Sequence, residues 1–311
     1  MKTFIRAMES WVPGDDRGCL VPGGGWYQTP AFGAMSQRHV FAWGEGLPGR
    51  AWEEGEPVIL TQFEGSYFRR AGAARAVGLT SAIAVPMFLR KKLAAVLVIF
   101  CGGDEERFGA IELWRNAPDQ SPDMTLVDGY YGATEEAFGF ASRKTTFRKG
   151  IGLPGLVWER NEPVFMPDLG KADRFLRAQS ALKVGINRGL GIPCDTQTGA
   201  NCVLTFLSAN STPIARRFEI WSPDSGYTLR RGEGFCETAG TLHASADGPT
   251  CRVHQGAIGR TFATGVPSFV ANPAAEVPQS GAELEEAGVE TLIALPLTRA
   301  GAPTGVLAWY F

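Results

Sequence analysis

Several classes of protein are excluded by what this sequence lacks. It has no apolar run near the roughly 18–20 residues that a helix needs to span a bilayer. Residues 1–6 carry no apolar core of a signal peptide, so we expect a cytoplasmic protein without a membrane partner. The formal net charge is −2 and the basic residues are dispersed. We therefore expect no nucleic-acid partner, because such a surface needs a basic stripe.

The residue sets of common catalytic and metal sites are also scarce. The six cysteines form no Cys-x-x-Cys pair, so we expect no metal site, and in the cytoplasm most thiols should stay reduced. No Ser-His-Asp set, His-Glu-x-x-His segment or Walker loop occurs. We assign no catalytic residue on this basis. The question of whether the chain is an enzyme stays open, with a non-enzymatic role favoured.

What the sequence does contain is a stretch that returns twice. Gly46-Leu47-Pro48-Gly49 recurs as Gly152-Leu153-Pro154-Gly155, and in weaker form as Gly256-Ala257-Ile258-Gly259. In every copy a proline follows the second glycine after eight positions: Pro57, Pro163 and Pro267. Glycines of this kind suit backbone at positive φ or in close approach. In the first two copies the pattern predicts a short helical turn over 47–52 and 153–158 and strands over 57–60 and 163–166. A proline at the first strand residue indicates either a sheet edge or a strand entry.

Other elements repeat around this stretch. Each copy opens with a strand in which a glutamate precedes a tryptophan by two residues, at Trp11, Trp114 and Trp221; on a strand these two side chains share one face. A return strand follows, and after it an aromatic pair that is weakest in the third copy. Apolar residues at helical spacing predict helices over 67–77 and 173–184, with Arg70 and Arg177 off the apolar stripe. The third copy has 280–287 instead, with Ser280 and Glu283 placed as a capping box.

Two strongly apolar strands close each copy and indicate inner strands that are covered on both faces. The distance from Trp11 to Trp114 is 103 residues and from Trp114 to Trp221 is 107, the size of a small domain. We therefore predict three domains over residues 1–108, 109–214 and 215–311, the third degenerate. Each is expected to fold around its own inner strands, and one continuous core across residues 80–220 would contradict this.

This order of elements resembles the GAF domain family of small-molecule sensor modules. The resemblance rests on Gly49 with Pro57, Gly155 with Pro163, Gly259 with Pro267, the prolines at 86, 193 and 296, and the closing strands. It implies an α+β fold: three tandem GAF-like domains, each a mainly antiparallel sheet of about five or six strands with short helices. The links are too short for the long flanking helices that GAF units usually carry.

The resemblance also implies a ligand pocket between each sheet and its glycine turn and helix. Aromatic walls with one arginine would suit a planar or anionic ligand. The alternative is that these aromatics are core residues and the arginines lie at the surface. The implied ligand-binding residues are Trp26, Tyr27, Trp52, Tyr67, Phe68, Arg69, Tyr130, Tyr131, Trp158, Arg174 and Phe175.

Particular family activities can be tested against residues. The signature of cyclic-nucleotide-binding members is absent, and no histidine adjoins a cysteine as covalent bilin attachment requires. Haem held by one histidine stays open, so the cofactor is unknown. The first hypothesis is a cytoplasmic sensory or regulatory protein that binds an unidentified small molecule and signals to a separate protein partner. The second is a thiol-dependent reductase of the free methionine sulfoxide reductase type that uses Cys194 and Cys202. The third is a ligand-free interaction scaffold, favoured if aromatics of the protein itself fill the pockets.

Overall fold

The chain forms three β-sheets, each made from one continuous stretch of sequence. This computed structural model describes residues 2–16, 18–102, 108–119, 121–134, 138–171, 175–224 and 226–311. Every strand pair in the three sheets is antiparallel. We call each sheet with its helices a unit: unit 1 spans residues 5–101, unit 2 residues 109–208 and unit 3 residues 217–310.

Unit 1 has a six-stranded sheet in the order β3-β2-β1-β6-β5-β4. Its strands are β1 (Ile5–Pro13), β2 (Cys19–Tyr27), β3 (Phe41–Ala42), β4 (Val58–Leu60), β5 (Ser81–Leu89) and β6 (Lys92–Cys101). Its helices are α1 (Pro30–Ser36), α2 (Gly46–Glu54) and α3 (Ala71–Ala76).

Unit 2 has a five-stranded sheet in the order β8-β7-β11-β10-β9. Its strands are β7 (Gly109–Asn116), β8 (Thr125–Tyr130), β9 (Val164–Met166), β10 (Arg188–Cys194) and β11 (Asn201–Ser208). Its helices are α4 (Phe140–Arg143), α5 (Gly152–Arg160) and α6 (Ala178–Lys183), with a 3₁₀ turn at Gly132–Thr134.

Unit 3 has the order β14-β13-β12-β18-β17-β16, and β15 pairs with β13. Its strands are β12 (Arg217–Pro223), β13 (Thr228–Cys236), β14 (Gly240–Leu242), β15 (Thr250–Arg252), β16 (Ser268–Ala271), β17 (Thr291–Arg299) and β18 (Ala302–Tyr310). Its helices are α7 (Gly256–Thr264), α8 (Pro273–Glu276) and α9 (Gly281–Glu286), with a 3₁₀ turn at Pro278–Ser280.

The predicted α+β fold class is confirmed, and the five strands of unit 2 have counterparts in the same order in units 1 and 3. The predicted glycine turns are longer than expected, since α2, α5 and α7 each have nine residues. The helices predicted over 67–77 and 173–184 are shorter, α3 and α6 having six residues each. Within the described ranges, no helix combines the length and apolarity that a membrane crossing requires. The predicted domain boundaries fall between the sheets and stay a prediction.

The two glycines of the repeated stretch have different tasks. The first takes positive φ, +60° at Gly46 and +69° at Gly152, which glycine adopts without strain. The second touches backbone: a Cβ at Gly49 would lie 2.2 Å from the carbonyl oxygen of Ala42, and one at Gly155 would lie 2.1 Å from that of Arg148. Side chains at these second positions would push the helix off the sheet. Of the two alternatives for the proline strands, the sheet edge is the one observed, since β4 and β9 each end their sheet, as does β16 of unit 3.

Each sheet has an outer face covered by its own helices and an inner face that meets the other two sheets. The outer faces form three separate cores, one per unit. The inner faces form one shared core that contains Ile99 of unit 1, Leu204 of unit 2 and Leu307 of unit 3. The expectation of independent cores is therefore right for the outer faces and wrong for the inner ones. The inner strands alternate between the two cores, which explains why they are apolar throughout.

The units close into a ring through their edges. Strand β4 of unit 1 lies against β8 of unit 2, and β16 of unit 3 lies against β2 of unit 1. Between units 2 and 3, Phe165 of β9 packs on Phe218 and Phe235, with ring centroids 4.6 and 4.9 Å apart. Each edge strand thus contacts the return strand of the next unit, which protects edges that would otherwise be open.

Candidate functional site

A buried glutamate lies on the outer face of the opening strand in every unit. Glu9, Glu112 and Glu219 are at most 1 % exposed. The tryptophan two residues later donates its indole N–H to the carboxylate, at 3.2, 3.0 and 2.9 Å respectively. A β-bulge interrupts the pairing with the return strand inside each of these Glu-x-Trp segments. Because a bulge re-aims side chains, it brings the indole within reach of the carboxylate.

In unit 1 an arginine neutralises the carboxylate. Arg70 lies just before α3, is 3 % exposed, and its Nη1 donates to both oxygens of Glu9 at 2.7 and 2.9 Å. Tyr27 at the end of β2 donates its hydroxyl to the same carboxylate at 3.1 Å. The guanidinium also donates to Ser36 of α1. Five aromatic rings surround its carbon at 5.0–5.8 Å: Trp11, Phe32, Phe41, Phe68 and Phe100.

Unit 2 repeats this arrangement. Nη1 and Nη2 of Arg177 donate to the two oxygens of Glu112 at 2.5 and 2.8 Å. Tyr131 and Thr205 donate their hydroxyls to the same carboxylate at 3.1 and 3.0 Å, and Arg177 also donates to Ser142. Four rings lie 4.8–5.5 Å from the guanidinium carbon: Trp114, Phe138, Phe147 and Phe175.

The electrostatics of these pairs is clearest at Glu112. Burial alone would raise the pKa of this carboxyl, but the charge and hydrogen bonds of Arg177 outweigh burial, so the pKa is lowered. Glu112 is therefore ionised at neutral pH. Burial and the nearby carboxylates raise the pKa values of Tyr27 and Tyr131, which keeps both tyrosines protonated as hydrogen-bond donors. None of these groups is poised to exchange a proton near pH 7.

Unit 3 assembles the same cluster from different positions. Its cation is Arg217, two residues before Glu219 on β12, with Nε and Nη2 donating to Glu219 at 2.9 and 2.6 Å. Its hydroxyl is Tyr310 on β18, which donates to Glu219 at 2.7 Å. Arg217 also donates to Glu283 of α9 at 2.7 Å. The predicted capping box is wrong, because Ser280 makes no cap hydrogen bond and Glu283 pairs with Arg217 instead.

These clusters lie between the sheet and the helices, in the space where the resemblance implies a ligand pocket. Arginine, glutamate and aromatic rings of the protein itself fill that space. Beside Tyr27 and Phe32 the structure leaves a cavity of about 10 Å³, the lower limit for one water molecule. What the arrangement does chemically is hold a charge pair away from water.

The two members of each predicted aromatic pair separate onto opposite faces. Tyr27 and Tyr131 join the outer clusters, whereas Trp26 and Tyr130 lie in the shared inner core. The ring of Trp26 stacks on Phe311 with centroids 4.1 Å apart, and the Tyr130 hydroxyl lies 3.1 Å from that of Thr80. Consecutive residues of a strand point to opposite faces, so the two members of a pair cannot line one pocket.

The remaining predicted aromatics lie on the outer, helix side. Phe68 and Phe175 are buried against the guanidinium groups. Tyr67 is half-buried with the Arg50 guanidinium 4.4 Å from its ring centre. Trp52 and Trp158 are half-buried at the rim of their cores. The structure thus brings Tyr27 together with Phe68, and Tyr131 with Phe175, as core residues around an internal cation.

The buried arginines are not the ones that the resemblance implies for a ligand pocket. Arg69, expected in the pocket, is exposed and pairs with Glu45 at the surface, and Arg174 lies outside the described residues. Arg70 and Arg177, which lie off the predicted apolar stripe, are buried. Both precede their short helices as the N-cap residue, where helical periodicity does not indicate which face a side chain takes. The signal that could have found them is the repeated glutamate, since a buried charge requires a partner.

The two candidate thiols face each other as expected. Cys194 and Cys202 are directly opposite in the β10–β11 pairing and contact the inner core. Burial raises the pKa of Cys202 to about 12 and that of Cys194 well above its usual value. Thiolate is the nucleophilic form, so this environment disfavours it. Across the described residues, no three His, Cys, Asp or Glu side chains come together as metal ligands would.

Comparison with known proteins supplies a family for part of the chain. The family model described as GAF domain matches residues 10–114. No curated protein matches the sequence. Similar solved structures include the A. aeolicus nlh2 GAF domain in an inactive state, with 16 % identity, TM-score 0.27, and coverage of 32 % of this chain and 60 % of that one.

Two other similar structures come from proteins with named ligands. One is NreA of Staphylococcus aureus mutated in its nitrate binding site, with 18 % identity, TM-score 0.28, and coverage of 35 % of this chain and 80 % of that chain. The other is free methionine-R-sulfoxide reductase of Neisseria meningitidis in complex with its substrate. It has 12 % identity and a TM-score of 0.26, and the match covers 34 % of this chain and 55 % of that chain. This chain spans less than two thirds of the nlh2 domain described above. What the comparisons show is therefore a match of residues 10–114, about a third of the chain, to the GAF domain family.

Proposed function

We propose that this protein is a non-enzymatic, GAF-type regulatory scaffold that acts through contacts with a protein partner. Its three units serve as one rigid body, and the spaces that would be ligand pockets serve as hydrophobic cores. The observation that carries this proposal is the buried arginine–glutamate cluster, which occupies the same space in all three units. A ligand entering there would have to displace a cation held by two or more short hydrogen bonds.

The two competing hypotheses have weaker support. A sensor that reads a small molecule between sheet and helices would have to open a filled space and expose the Glu9 or Glu112 carboxylate. A reductase that uses Cys194 and Cys202 would need a thiolate, and burial raises the pKa of both thiols. The scaffold needs no such rearrangement. Its closed units present a fixed outer surface, which suits a partner that binds without a chemical step.

The test uses the indole N–H groups as reporters of each filled space. The protein has eight tryptophans, and Trp11, Trp114 and Trp221 bind the three buried carboxylates. We would label the protein with ¹⁵N-tryptophan, assign its indole signals with single Trp→Phe variants, and titrate nitrate, methionine sulfoxide, cyclic AMP and cyclic GMP. We expect these three signals to stay unchanged and to exchange slowly with deuterium.

The other five tryptophans serve as internal controls, because they report binding elsewhere on the same protein. A saturable shift of any of the three reporter signals, with loss of its protection from exchange, would show that a ligand enters a unit and would overturn the scaffold proposal. Reduction of methionine sulfoxide by the wild type but not by Cys202→Ser would overturn it in favour of the reductase.

A further inference from the structure

A cavity of about 620 Å³ lies outside the three filled spaces, where hairpin ends of all three units meet. This volume lies within the roughly 300–1,000 Å³ of small-molecule sites. Its walls come from the turn between β5 and β6, the loop between β10 and β11, the turn between β17 and β18, and the end of α5. No single unit could form it.

The loop at residues 195–200 makes this cavity possible. The corresponding turns of units 1 and 3 have two residues, at 90–91 and 300–301, whereas unit 2 has six. Asp195 accepts the backbone N–H groups of Ala300 and Gly301 at 3.2 and 2.7 Å. Gln197 donates its backbone N–H to the carbonyl of Gly55 in unit 1 at 3.0 Å. The loop thus bridges units 1 and 3 and holds the cavity open in a fixed shape.

The charges of the lining are unequal. Lys91, Lys149 and Arg299 are exposed cations at its rim, one from each unit. The acidic side chains are Asp195 and Glu159. The Asp195 carboxylate accepts the two backbone N–H groups of unit 3, which are neutral and leave its negative charge in place. Three cations against two carboxylates give the lining a net charge of +1, which favours an anion.

The rest of the cavity lining combines apolar residues with uncharged polar ones. Trp158 and Pro193 are its flat apolar residues, and Asn161 and Asn201 are polar residues of the same lining. The Asn201 amide nitrogen also donates to Asn116 at 3.5 Å. Sites for small organic molecules combine apolar walls with a few placed polar groups in this way. An aromatic wall near cations suits a flat ring that carries a negative group.

The backbone conformation at Lys91 also supports a binding site at this position. Arg90 and Lys91 take φ of +51° and +64°, a conformation that residues other than glycine, asparagine and aspartate rarely adopt. The turn of unit 3 uses a glycine at its second position, Gly301. Strain of this kind is found at functional sites more often than elsewhere. Lys91 thus occupies a turn position that glycine or asparagine would adopt with less strain.

From these observations we propose that this cavity, which we call the junction cavity, binds a small organic anion with a flat apolar ring. The cations of the rim pair with its carboxylate, sulfonate or phosphate group, and its ring packs on Trp158. The proposal is independent of the scaffold function, because the junction cavity lies apart from the three buried carboxylate clusters.

The experiment compares two probes of the same shape. 2-Naphthoate is a flat anion, and 2-naphthamide is its neutral counterpart. Titrated into ¹⁵N-tryptophan-labelled full-length protein, 2-naphthoate should shift the Trp158 signal saturably and leave those of Trp11, Trp114 and Trp221 unchanged. The amide should bind about tenfold more weakly, since it lacks the charge-assisted contacts of the carboxylate. Absence of a saturable Trp158 shift, or equal affinity for the two probes, would overturn the proposal.

Variants then locate the binding. Lys91→Glu should weaken 2-naphthoate binding about tenfold by replacing attraction with repulsion. Lys92→Glu is the matched control, because Lys92 is exposed beside Lys91 but does not line the cavity, and it should leave affinity nearly unchanged. An equal loss of affinity in the cavity variant and in Lys92→Glu would show that the effect comes from the net charge of the protein, and it would contradict the proposal. A shift of Trp11, Trp114 or Trp221 in place of Trp158 would also contradict it, and would separately count against the scaffold function.

Discussion

Units 1 and 2 hold their buried glutamate with one set of residues, and unit 3 holds its own with another. The N-cap residue before α3 and α6 is Arg70 and Arg177, but before α9 it is Ser280. Two residues before the glutamate, units 1 and 2 have alanine, whereas unit 3 has Arg217. In unit 3 the arginine therefore lies on strand β12 and not at the N-cap of a helix, but it still donates to the buried glutamate.

The tyrosine has changed place as well. In unit 1, Tyr27 pairs with Ala7 across β1 and β2, and the residue in the matching register of unit 3 is Cys236. Unit 3 takes its hydroxyl from Tyr310 on β18 instead. What the three units share is therefore a neutralised carboxylate and not a set of donor positions. A buried carboxylate without a cation is far too costly to keep, so a change at one donor position requires compensation at another.

The comparison is tested most strongly by removing the arginine from each kind of unit. Arg177→Met leaves the buried Glu112 carboxyl without its cation, and we expect it to lower the free energy of unfolding by about 3–5 kcal/mol. Arg217→Met should cost less, because Nη1 of Arg231 lies 3.7 Å from Glu219 and can take part of the charge. Urea denaturation followed by circular dichroism measures both.

Arg69→Met is the matched control for this pair of variants. Its ion pair with Glu45 lies at the surface, where such pairs contribute about 0–1 kcal/mol. If Arg177→Met cost no more than Arg69→Met, the buried clusters would not be what holds the units closed. If Arg217→Met cost more than Arg177→Met, Arg231 would have no compensating role.

The second prediction exchanges the two donor arrangements. Arg217→Ala removes the strand arginine of unit 3, and adding Ser280→Arg supplies one from the position that Arg70 occupies in unit 1. We expect the double variant to recover part of the lost stability, with a coupling of about 1–3 kcal/mol in a double-mutant cycle. Ser280→Arg alone should destabilise, since two buried cations would then share Glu219. A coupling near zero would show that the two positions are not equivalent.

The sequence predicts the repeated elements of the units but not which residues pair inside them. The glycine and proline spacing predicts the helical turn and the strand after it, with a sheet edge as one of two alternatives, because these features depend on local backbone constraints. The Glu-x-Trp repeat was visible, and its shared strand face was predicted correctly. The partner of the glutamate was not found, since Arg70 lies 61 positions away from Glu9 and only tertiary packing brings them together.

The ring of units was beyond the sequence for a similar reason. Apolar inner strands predicted cover on both faces without indicating what covers them. The inner cover is the other two sheets, through residues such as Leu204 and Leu307. Likewise, the contacts of the six-residue loop at 195–200 with units 1 and 3 depend on how the units are arranged in the ring. Contacts between units leave no periodic trace in any one strand.

The third prediction concerns how the free energy of unfolding falls at low pH. Arg177 lowers the pKa of Glu112 below its usual value of 4.5 despite burial, and hydrogen bonding from Arg217 lowers that of Glu283. The stability that each contributes is complete above the unfolded pKa and is lost as pH falls through the folded pKa. Below about pH 4.5, we therefore expect Glu112→Gln to flatten the fall of unfolding free energy with decreasing pH, relative to wild type.

Glu283→Gln should flatten that fall less, because the Glu283 side chain is 50 % exposed and that of Glu112 is fully buried. Urea midpoints measured between pH 3 and 7 give the two slopes. Equal slopes in wild type and Glu112→Gln would mean that the buried glutamate does not titrate differently in the folded protein.

The smallest expected effect comes from comparing two serines. Ser280 stands where units 1 and 2 have the cluster arginine, and Ser142 accepts a hydrogen bond from Arg177. Ser280 is 1 % exposed and its hydroxyl has no hydrogen-bond partner, so Ser280→Ala should be neutral or raise the free energy of unfolding by up to about 1 kcal/mol. Ser142→Ala should lower it by about 1–2 kcal/mol, since Arg177 would lose a charge-assisted acceptor. Thermal unfolding of both variants measures the difference. A loss in Ser280→Ala as large as that in Ser142→Ala would mean that the serine has a task of its own in unit 3, and the exchange of donors would not be complete.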